Sequence, residues 1–378
     1  MIKYNCLNPI SPLGLGNFTD NYEATDNFDE AEVALVRSAA MHDLDLPESL
    51  VAVARAGAGV NNIPLDKCAD KGIVVFNTPG ANANGVKELV LCGMLLACRD
   101  IIGGNTWVKE NNSDENINKS MEKAKKQFAG GEILGKTLGI IGLGAIGRLV
   151  ANSAVALGMD VVGVDPFLTE EGKAMLDDKV KIVETNDDVY AVSDFISVHV
   201  PLLDDTKEMI NKDTIAKMKD GVVILNYARD LLVADDDMAE ALASGKVKKY
   251  VTDFPNYKSA NTEGVIAFPH LGASTAESED NCAIMAVKQI MDYVENGNIV
   301  NSVNFPKVVK GEATGARIAV AFKGDIVEDI KAAAGSDDVE CGTRGDYGYA
   351  IIDADSFDDA AIDAVKAIDG VLKVRVIK

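Results

Sequence analysis

A glycine-rich turn between a buried strand and a helix constrains this chain more than any other segment. The six residues from Gly142 read Gly-Leu-Gly-Ala-Ile-Gly and follow the apolar run 137–141. A helical pattern begins directly after them, and a second apolar run, 161–164, ends at Asp165. In this order the first glycine permits a tight turn, the second lets backbone approach a pyrophosphate, and the third lets helix and strand pack closely. The pattern predicts a dinucleotide-binding unit built on a parallel sheet.

Asp165 indicates which dinucleotide this unit binds. It lies eighteen residues after Gly147, where a carboxylate can accept hydrogen bonds from ribose hydroxyls. A carboxylate in that place repels a 2′-phosphate, so we expect NAD rather than NADP. The N–H groups at the start of the helix are suited to the pyrophosphate, which we therefore place at Gly142, Gly144 and Gly147.

Length and charge bound the class of the protein. The 378 residues suggest two or three domains, and 47% hydrophobic with 25% charged residues is typical of globular proteins. The net charge of −22 argues against nucleic acid or a membrane as a partner, since both favour basic surfaces. An anionic substrate would need a local cluster of Arg or Lys to bind.

Cysteine usage and the N-terminal residues predict a cytoplasmic protein. The six cysteines are scattered, without a Cys-x-x-Cys pair or a His-rich tract, so we expect neither disulfides nor a metal site. No stretch approaches the ~18 apolar residues of a membrane span. The first residues lack the apolar core of a signal peptide.

Apolar runs that alternate with helical patterns predict an α/β fold with parallel sheets. The runs that predict strands on either side of the glycine turn lie at 33–36, 50–54, 72–76, 222–225 and 265–268. A single surface helix is predicted within 105–128. The last part, 316–378, shows the different order βαββαβ, which is typical of a ferredoxin-like module.

Three further segments lie at predicted strand ends, where parallel sheets place their ligands. Arg55 begins Arg-Ala-Gly-Ala-Gly, which is either an anion site or a glycine-rich turn without a ligand. Arg229 ends Asn-Tyr-Ala-Arg and is suited either to a carboxylate ligand or to a surface ion pair. His270 lies between a strand and a helix, and histidine is the residue type that suits acid–base catalysis near neutral pH.

Taken together, these motifs resemble those of the D-isomer-specific 2-hydroxyacid dehydrogenases. The segments that carry the resemblance are Arg-Ala-Gly-Ala-Gly-Val-Asn-Asn from Arg55, the glycine turn with Asp165, His-Val-Pro-Leu from His199, Asn-Tyr-Ala-Arg before Asp230, and Pro-His-Leu-Gly-Ala-Ser-Thr from Pro269. The similarity spans about residues 30 to 305. It is greatest to the phosphoglycerate dehydrogenase branch of the family, and 316–378 resembles an ACT domain.

The resemblance implies three domains. Residues 1–95 and 283–312 would form a discontinuous, flavodoxin-like substrate domain, and 96–282 a Rossmann NAD domain, with the cleft between them. Residues 316–378 would form a ferredoxin-like ACT module with a regulatory or dimerisation role. A homodimer or homotetramer is implied as well.

The resemblance also implies a reaction. The chain would oxidise 3-phospho-D-glycerate, a small anionic substrate, to 3-phosphohydroxypyruvate with NAD, in serine biosynthesis. Two alternatives stay open. One is another D-2-hydroxyacid dehydrogenase, acting on lactate, glyoxylate or hydroxypyruvate. The other is a non-catalytic NAD-sensing protein on the same fold.

The resemblance assigns roles residue by residue. Arg229 would bind the substrate carboxylate and C2 oxygen, and His270 would take the C2 hydroxyl proton. The residues that would bind the rest of the substrate are Arg55, Ala56, Gly57, Ala58 and Asn77. The residues that would bind the cofactor are Gly142, Gly144, Ala145, Ile146, Gly147, Asp165, His199, Pro201, Thr206, Ala228, Asp253, His270 and Gly272.

One departure from the family concerns the partner of His270. The family has a Glu soon after the residue that corresponds to Asp253, and that Glu pairs with the catalytic His. Here the chain reads Asp-Phe-Pro-Asn-Tyr-Lys from Asp253, and the next acid is Glu263. Either His270 works without a carboxylate partner, which we expect, or a carboxylate from elsewhere supplies that role.

Overall fold

Strands and helices alternate along most of residues 1–377, the part of the chain that this computed structural model describes. The strands lie at β1 (Ile2–Cys6), β2 (Tyr22–Ala24), β3 (Val33–Val36), β4 (Ala52–Arg55), β5 (Val74–Phe76), β6 (Thr137–Ile141), β7 (Asp160–Val164), β8 (Val180–Ile182), β9 (Phe195–Val198), β10 (Val222–Asn226), β11 (Val247–Thr252), β12 (Val265–Ala267), β13 (Ala316–Lys323), β14 (Val339–Arg344), β15 (Tyr347–Ala354) and β16 (Val371–Val376). The helices lie at α1 (Pro12–Leu15), α2 (Leu65–Asp70), α3 (Ala83–Cys98), α4 (Ile101–Glu110), α5 (Ile117–Ala124), α6 (Ala145–Ala156), α7 (Glu170–Ala174), α8 (Asn186–Val192), α9 (Lys212–Ala216), α10 (Asp235–Ser244), α11 (Tyr257–Ala260), α12 (Ala276–Asn296), α13 (Val327–Ala334) and α14 (Asp359–Lys366).

The chain divides into two compact units. Ala83–Thr275 forms one of them, which we call the continuous unit. Met1–Asn82, together with the chain from Ala276 onward, forms the other, which we call the split unit.

The continuous unit is built on a seven-stranded parallel sheet with the order β12-β11-β10-β9-β6-β7-β8. The order reverses between β6 and β9, which makes the carboxyl ends of these strands the switch point where such sheets bind ligands. Helices cover both faces: α3 and α6 pack on one, and α8, α9 and α10 on the other. The strands are buried on both sides, which explains their continuous apolar runs. The predicted Rossmann fold is confirmed.

The split unit contains a five-stranded parallel sheet with the order β2-β1-β3-β4-β5. This is the flavodoxin-like order, as predicted. The long helix α12 packs across it through Ala286, Val287 and Ile290, which share a core with Leu35 and Ala54.

The C-terminal module is an antiparallel sheet with the order β14-β15-β13-β16, connected as βαββαβ. One face is covered by α13 and α14, where Ile318, Val320 and Phe322 are buried. The opposite face carries Ala319 and Tyr349, which belong to the core that α12 shares. Both faces of the central strands β13 and β15 are therefore buried within the split unit, whereas the edge strand β14 is largely exposed.

The divisions of the chain differ from the predicted domain boundaries. The predicted NAD domain covers 96–282, whereas the continuous unit begins at Ala83 and ends at Thr275. Val90 and Met94 of α3 pack on the Rossmann sheet, so that helix belongs to it entirely. The module predicted as a separate domain shares the core of the split unit. Helical periodicity shows that a helix has a buried face but not which sheet covers it.

Several short elements are absent from the sequence-based prediction. The predicted surface helix within 105–128 is two helices, α4 and α5, followed by a 3-10 turn at Lys125–Phe128. The strands β1 and β11 were not predicted, because each mixes Lys with apolar residues. In the part of the chain that the structure describes, no helix has the length and apolarity needed to cross a bilayer.

Candidate active site

The glycine turn joins β6 to α6 at the switch point of the Rossmann sheet. Gly142 has a φ of +94°, and a Cβ there would lie 2.6 Å from the carbonyl oxygen of His199. A Cβ on Gly147 would lie 2.0 Å from the carbonyl oxygen of Gly142, so only glycine permits this helix to approach the strand. At Gly144 a Cβ would meet nothing within 4 Å, which leaves space in front of the helix. The turn has the shape that a pyrophosphate requires.

Asp165 lies beside the glycine turn and lines a cavity of about 260 Å³. Its Oδ2 accepts a hydrogen bond of 2.9 Å from the N–H of Leu143, and its Oδ1 accepts one of 2.9 Å from the N–H of Phe167. Each carboxylate oxygen keeps further lone pairs for ribose hydroxyls. Ala145 and Ile146 begin α6, so their N–H groups have no partner within the helix.

Two buried polar atoms without a hydrogen-bond partner in the structure lie at the ends of β9 and β11. They are Nδ1 of His199 and Oδ1 of Asp253. The other ring nitrogen of His199 shares a 2.8 Å hydrogen bond with the hydroxyl of Ser197. Buried polar atoms are rarely left unpaired, so these two indicate a place where a polar ligand binds. With the glycine turn, they fit a nicotinamide dinucleotide laid along the carboxyl edge of the sheet.

The segment 199–206, predicted to contact the cofactor, belongs to the same unit. Thr206 shapes it, since its Oγ1 donates to the carbonyl oxygen of Pro201 at 2.7 Å and accepts from the N–H of Leu203 at 2.8 Å. The assignment of Pro201 and Thr206 to the cofactor stays a prediction.

Asn226 holds the turn that presents Arg229. Asn226 is fully buried, and its Oδ1 accepts a hydrogen bond of 3.1 Å from the N–H of Ala228. Its Nδ2 donates to the carbonyl oxygen of Arg229 at 2.8 Å and to the hydroxyl of Tyr250 at 3.1 Å. The Arg229 side chain is exposed beyond this rigid turn. The motif Asn-Tyr-Ala-Arg was recognised in the sequence, but the role of its first residue was not.

His270 lies on a strained loop that Asp253 holds in place. Its φ is +48°, which is unusual for a residue with a side chain. The N–H of His270 donates to the carbonyl oxygen of Asp253 at 2.8 Å, and the N–H of Gly272 donates to Oδ2 of Asp253 at 3.0 Å. Burial raises the pKa of Asp253, while the N–H of Gly272 and the nearby charges of His270 and Arg229 act against the rise. The side chain that lies against the His270 ring is Phe254, at 4.3 Å between ring centroids.

The buried ring of His199 predicts a pH dependence of stability. Burial lowers the pKa of His199 from 6.5 to about 4. The unfolded chain therefore binds this proton more readily, so the stabilisation is complete above pH 6.5 and is lost as the pH falls towards 4. We expect the free energy of unfolding of the wild type, measured by urea titration, to fall between about pH 7 and about pH 4.5. This fall should be about 2–3 kcal/mol larger in the wild type than in His199→Gln. Equal pH dependence in the two proteins would contradict this expectation.

In the split unit, two arginines follow the ends of neighbouring strands. Arg55 ends β4, and its Nε donates to the carbonyl oxygen of Arg37 at 3.1 Å. Arg37 directly follows β3 and forms an ion pair of 2.5 Å with Glu279. Burial raises the pKa of Cys282, and the charges of Arg55 and Arg37 both act against the rise, so both guanidinium groups lie near this thiol. The two guanidinium groups therefore lie together, and the carboxylate of Glu279 pairs with the guanidinium of Arg37 and also acts on the thiol.

Arg37 is a candidate residue that the sequence motifs missed. The signal was present, because Arg37 follows the apolar run 33–36 as Arg55 follows its own strand. What the sequence lacked was the pairing of β3 with β4, in which Val36 lies opposite Arg55.

The remaining predicted substrate residues form one hydrogen-bonded loop pair beside Arg55. The side chain of Asn77 donates to the carbonyl oxygen of Ala58 at 2.7 Å. The N–H of Thr78 donates to the carbonyl oxygen of Gly57 at 3.1 Å. From α12, Nε2 of Gln289 donates to the carbonyl oxygen of Asn77 at 2.9 Å. The structure therefore brings Asn77 to the loop 56–58, as the predicted site requires.

Comparison with known proteins shows which family this chain resembles. Residues 91–272 match the family described as "D-isomer specific 2-hydroxyacid dehydrogenase, NAD binding domain". The chain is 40% identical over 274 residues to a hydroxypyruvate reductase of Thermotoga maritima, covering 69% of this chain and 84% of that protein. It is 33% identical over 320 residues to a D-3-phosphoglycerate dehydrogenase of Methanocaldococcus jannaschii, covering 82% of this chain and 59% of that protein.

The fold also matches a solved structure. The NAD+-bound 3-phosphoglycerate dehydrogenase of Entamoeba histolytica superimposes with a TM-score of 0.61 at 27% identity, covering 80% of this chain and 98% of that one. This chain spans between 51% and 59% of the length of the curated phosphoglycerate dehydrogenases that it matches. Because the family match covers residues 91–272, the continuous unit contains an NAD-binding domain.

Proposed function

Because this chain belongs to the D-isomer-specific 2-hydroxyacid dehydrogenases, a family of NAD-dependent enzymes, we propose that it oxidises 3-phospho-D-glycerate to 3-phosphohydroxypyruvate. The observation that supports the choice of substrate is Arg55, which ends β4 beside the loop 56–58, with Arg37 and its ion-pair partner Glu279 next to it. A substrate with a phosphate in addition to its carboxylate uses such a second cationic site, because guanidinium groups bind phosphate through paired hydrogen bonds.

In the proposed reaction, two side chains act on C2 of the substrate. Arg229 binds the carboxylate and the C2 oxygen. His270 takes the proton of the C2 hydroxyl while the C2–H bond breaks, and the C–O bond becomes a carbonyl. Bound NAD+ supplies the acceptor for the hydride that leaves C2. The reverse sequence, with a protonated His270, reduces the carbonyl.

The wider assignments follow from the same proposal. The product would feed serine synthesis, and the enzyme would work in the cytoplasm as a homodimer or homotetramer. The C-terminal module would be regulatory or would contribute to dimerisation through the open edges of its sheet. Gly142, Gly144 and Gly147 with Asp165 would hold NAD, and Asp253 would face the nicotinamide carboxamide.

A second candidate substrate is hydroxypyruvate, or a similar unphosphorylated 2-oxoacid. It is favoured by the 40% identity to a hydroxypyruvate reductase, which the chain covers over 84% of its length. Rates of NADH formation with 3-phosphoglycerate, and of NADH consumption with 3-phosphohydroxypyruvate, hydroxypyruvate and glyoxylate, separate the candidates. A kcat/KM for hydroxypyruvate that exceeds the value for both phosphorylated substrates would overturn our first choice.

Arg55→Ala tests the phosphate assignment directly. We expect kcat/KM for 3-phosphoglycerate to fall about 10- to 100-fold, because one charge-assisted hydrogen-bonded pair is lost. The kcat/KM for hydroxypyruvate should change less than about threefold, since hydroxypyruvate has no phosphate for Arg55 to bind. Arg344→Ala, at an exposed arginine of the same unit, is the matched control. An equal decrease of kcat/KM for both substrates would show that Arg55 does not bind the phosphate.

A further inference from the structure

Phe254 contacts both side chains to which we assign the chemistry. Its ring centroid lies 4.3 Å from that of His270, with an angle of 41° between the ring planes. The guanidinium carbon of Arg229 lies over the same ring, 5.3 Å from its centroid. A cation above an aromatic face is attracted by the electron density of the ring, and this applies to the guanidinium and to a protonated imidazole.

Hydrogen bonds hold the backbone segment that carries Phe254. The N–H of Phe254 donates to Oγ1 of Thr252 at 3.0 Å, and Thr252 is fully buried. The preceding residue, Asp253, accepts hydrogen bonds from the N–H groups of His270 and Gly272. The two consecutive residues 253 and 254 therefore hold the His270 loop through a carbonyl, a carboxylate and a ring. Such support is needed because the φ of His270 is one that side chains rarely adopt.

His270 and Arg229 are exposed side chains, which sample several rotamers where contacts do not restrain them. Nη1 of Arg229 donates to the carbonyl oxygen of Ala228 at 2.5 Å, and the ring of Phe254 is a contact that Arg229 shares with His270. A catalytic group that is already oriented reacts faster, because less conformational freedom is lost in the transition state. In this chain no acid occurs between Asp253 and Glu263, in the segment where the family has the partner of its catalytic His. The ring of Phe254 occupies this segment and contacts the imidazole.

We propose that Phe254 is a positioning residue that orients His270 and Arg229 together, in place of a carboxylate partner of the histidine. The reaction that it serves rests on the proposed function, whereas the orientation of the two side chains does not. Two kinds of measurement therefore test it, one without turnover and one with it.

The first measurement is the NMR spectrum of the histidine rings in the full chain. The chain has three histidines, so His42, His199 and His270 give three ring signals that His→Asn variants assign. The ring current of Phe254 acts on the signal of His270. In Phe254→Leu and Phe254→Met this signal should move while the other two stay in place. Phe254→Tyr, which keeps the aromatic face, should leave it near its wild-type position.

The second measurement is steady-state kinetics on the same variants. We expect Phe254→Leu to lower kcat/KM for the hydroxyacid about tenfold. The kcat should fall because His270 is less well oriented, and the KM should rise because Arg229 is. The KM for NAD should stay within about twofold of the wild type. Phe254→Tyr should restore both constants. Tyr257→Leu makes the same aromatic-to-aliphatic change at a side chain that is 89% exposed, and is the matched control.

The outcomes separate this inference from the proposed function. An unmoved His270 signal in both Phe254→Leu and Phe254→Met overturns the inference, whatever the enzyme turns over. So do unchanged kcat and KM in those variants when the wild type is active. A wild type without activity on any 2-hydroxyacid or 2-oxoacid refutes the proposed function, and the NMR result then decides the orientation of His270 alone.

Discussion

His270→Asn is expected to lower kcat about 10³-fold, the middle of the range that a general acid–base group contributes. The C2 hydroxyl would then have no base to take its proton while hydride leaves. Asn is the replacement of choice, because it tolerates the left-handed φ of +48° at this position better than other residues do. Initial rates with saturating NAD and hydroxyacid measure the effect.

The control for His270 is the same change at another histidine. His42 lies in the split unit, where its Nε2 is 2.9 Å from the carbonyl oxygen of Asn61. His42→Asn should leave kcat within about twofold of the wild type, because the exposed His42 side chain takes no part in the proposed proton transfer. A His270→Asn variant that keeps more than a tenth of the wild-type kcat would assign the proton transfer to another group.

Arg317→Met is expected to destabilise the split unit by about 3–5 kcal/mol, the cost of breaking a buried ion pair. Arg317 is 2% exposed, and its Nε and Nη2 bind the two carboxylate oxygens of Asp353 at 2.6 and 2.8 Å. Its Nη1 donates to the carbonyl oxygens of Asn296 and Gly311, both at 2.8 Å. One side chain thus joins β13 and β15 to the end of α12 and to Gly311, in the segment between α12 and β13. Urea titration, with hydrogen exchange of peptides from residues 316–354, measures the loss.

Two variants make the Arg317 result specific. Lys366→Met removes an exposed pair with Asp363 in the same module, which should cost less than about 1 kcal/mol. The double variant Arg317→Met with Asp353→Leu should recover part of the loss, because it also removes the carboxylate that Arg317→Met leaves with only the more distant Lys310, at 3.9 Å. A loss below about 1 kcal/mol in Arg317→Met would show that the module is held mainly by its apolar face.

Local sequence was sufficient for the dinucleotide-binding unit. Residues 137–141 were predicted as a strand with the bounds that the structure has, and the helix after Gly144 with nearly the same bounds. The glycine turn can be predicted from the sequence because it depends on steric constraints between residues that are only a few positions apart. The apolar period of the long helix α12 likewise extends over many turns and is a local pattern.

Only part of the candidate site could be predicted from the sequence. Arg229 and His270 could be proposed from their positions at strand ends. Arg37 was missed because its partner Arg55 is brought close by pairing of β3 and β4, which no local pattern records. From the sequence, Phe254 could be identified only as part of a segment that departs from the family. Its contacts join segments that are 16 and 25 residues away along the chain.

The amino-acid sequence by itself determined the α/β class, the glycine turn with Asp165, and the βαββαβ order of the C-terminal module, because each depends on short-range sterics or on a repeating apolar period. Only the tertiary structure decided which sheet α3 covers, and that both faces of the central strands β13 and β15 are buried in the split unit. It alone also decided which ring lies against His270. These features depend on contacts between distant segments, whose energies are set by the packing of the whole unit and not by any local pattern.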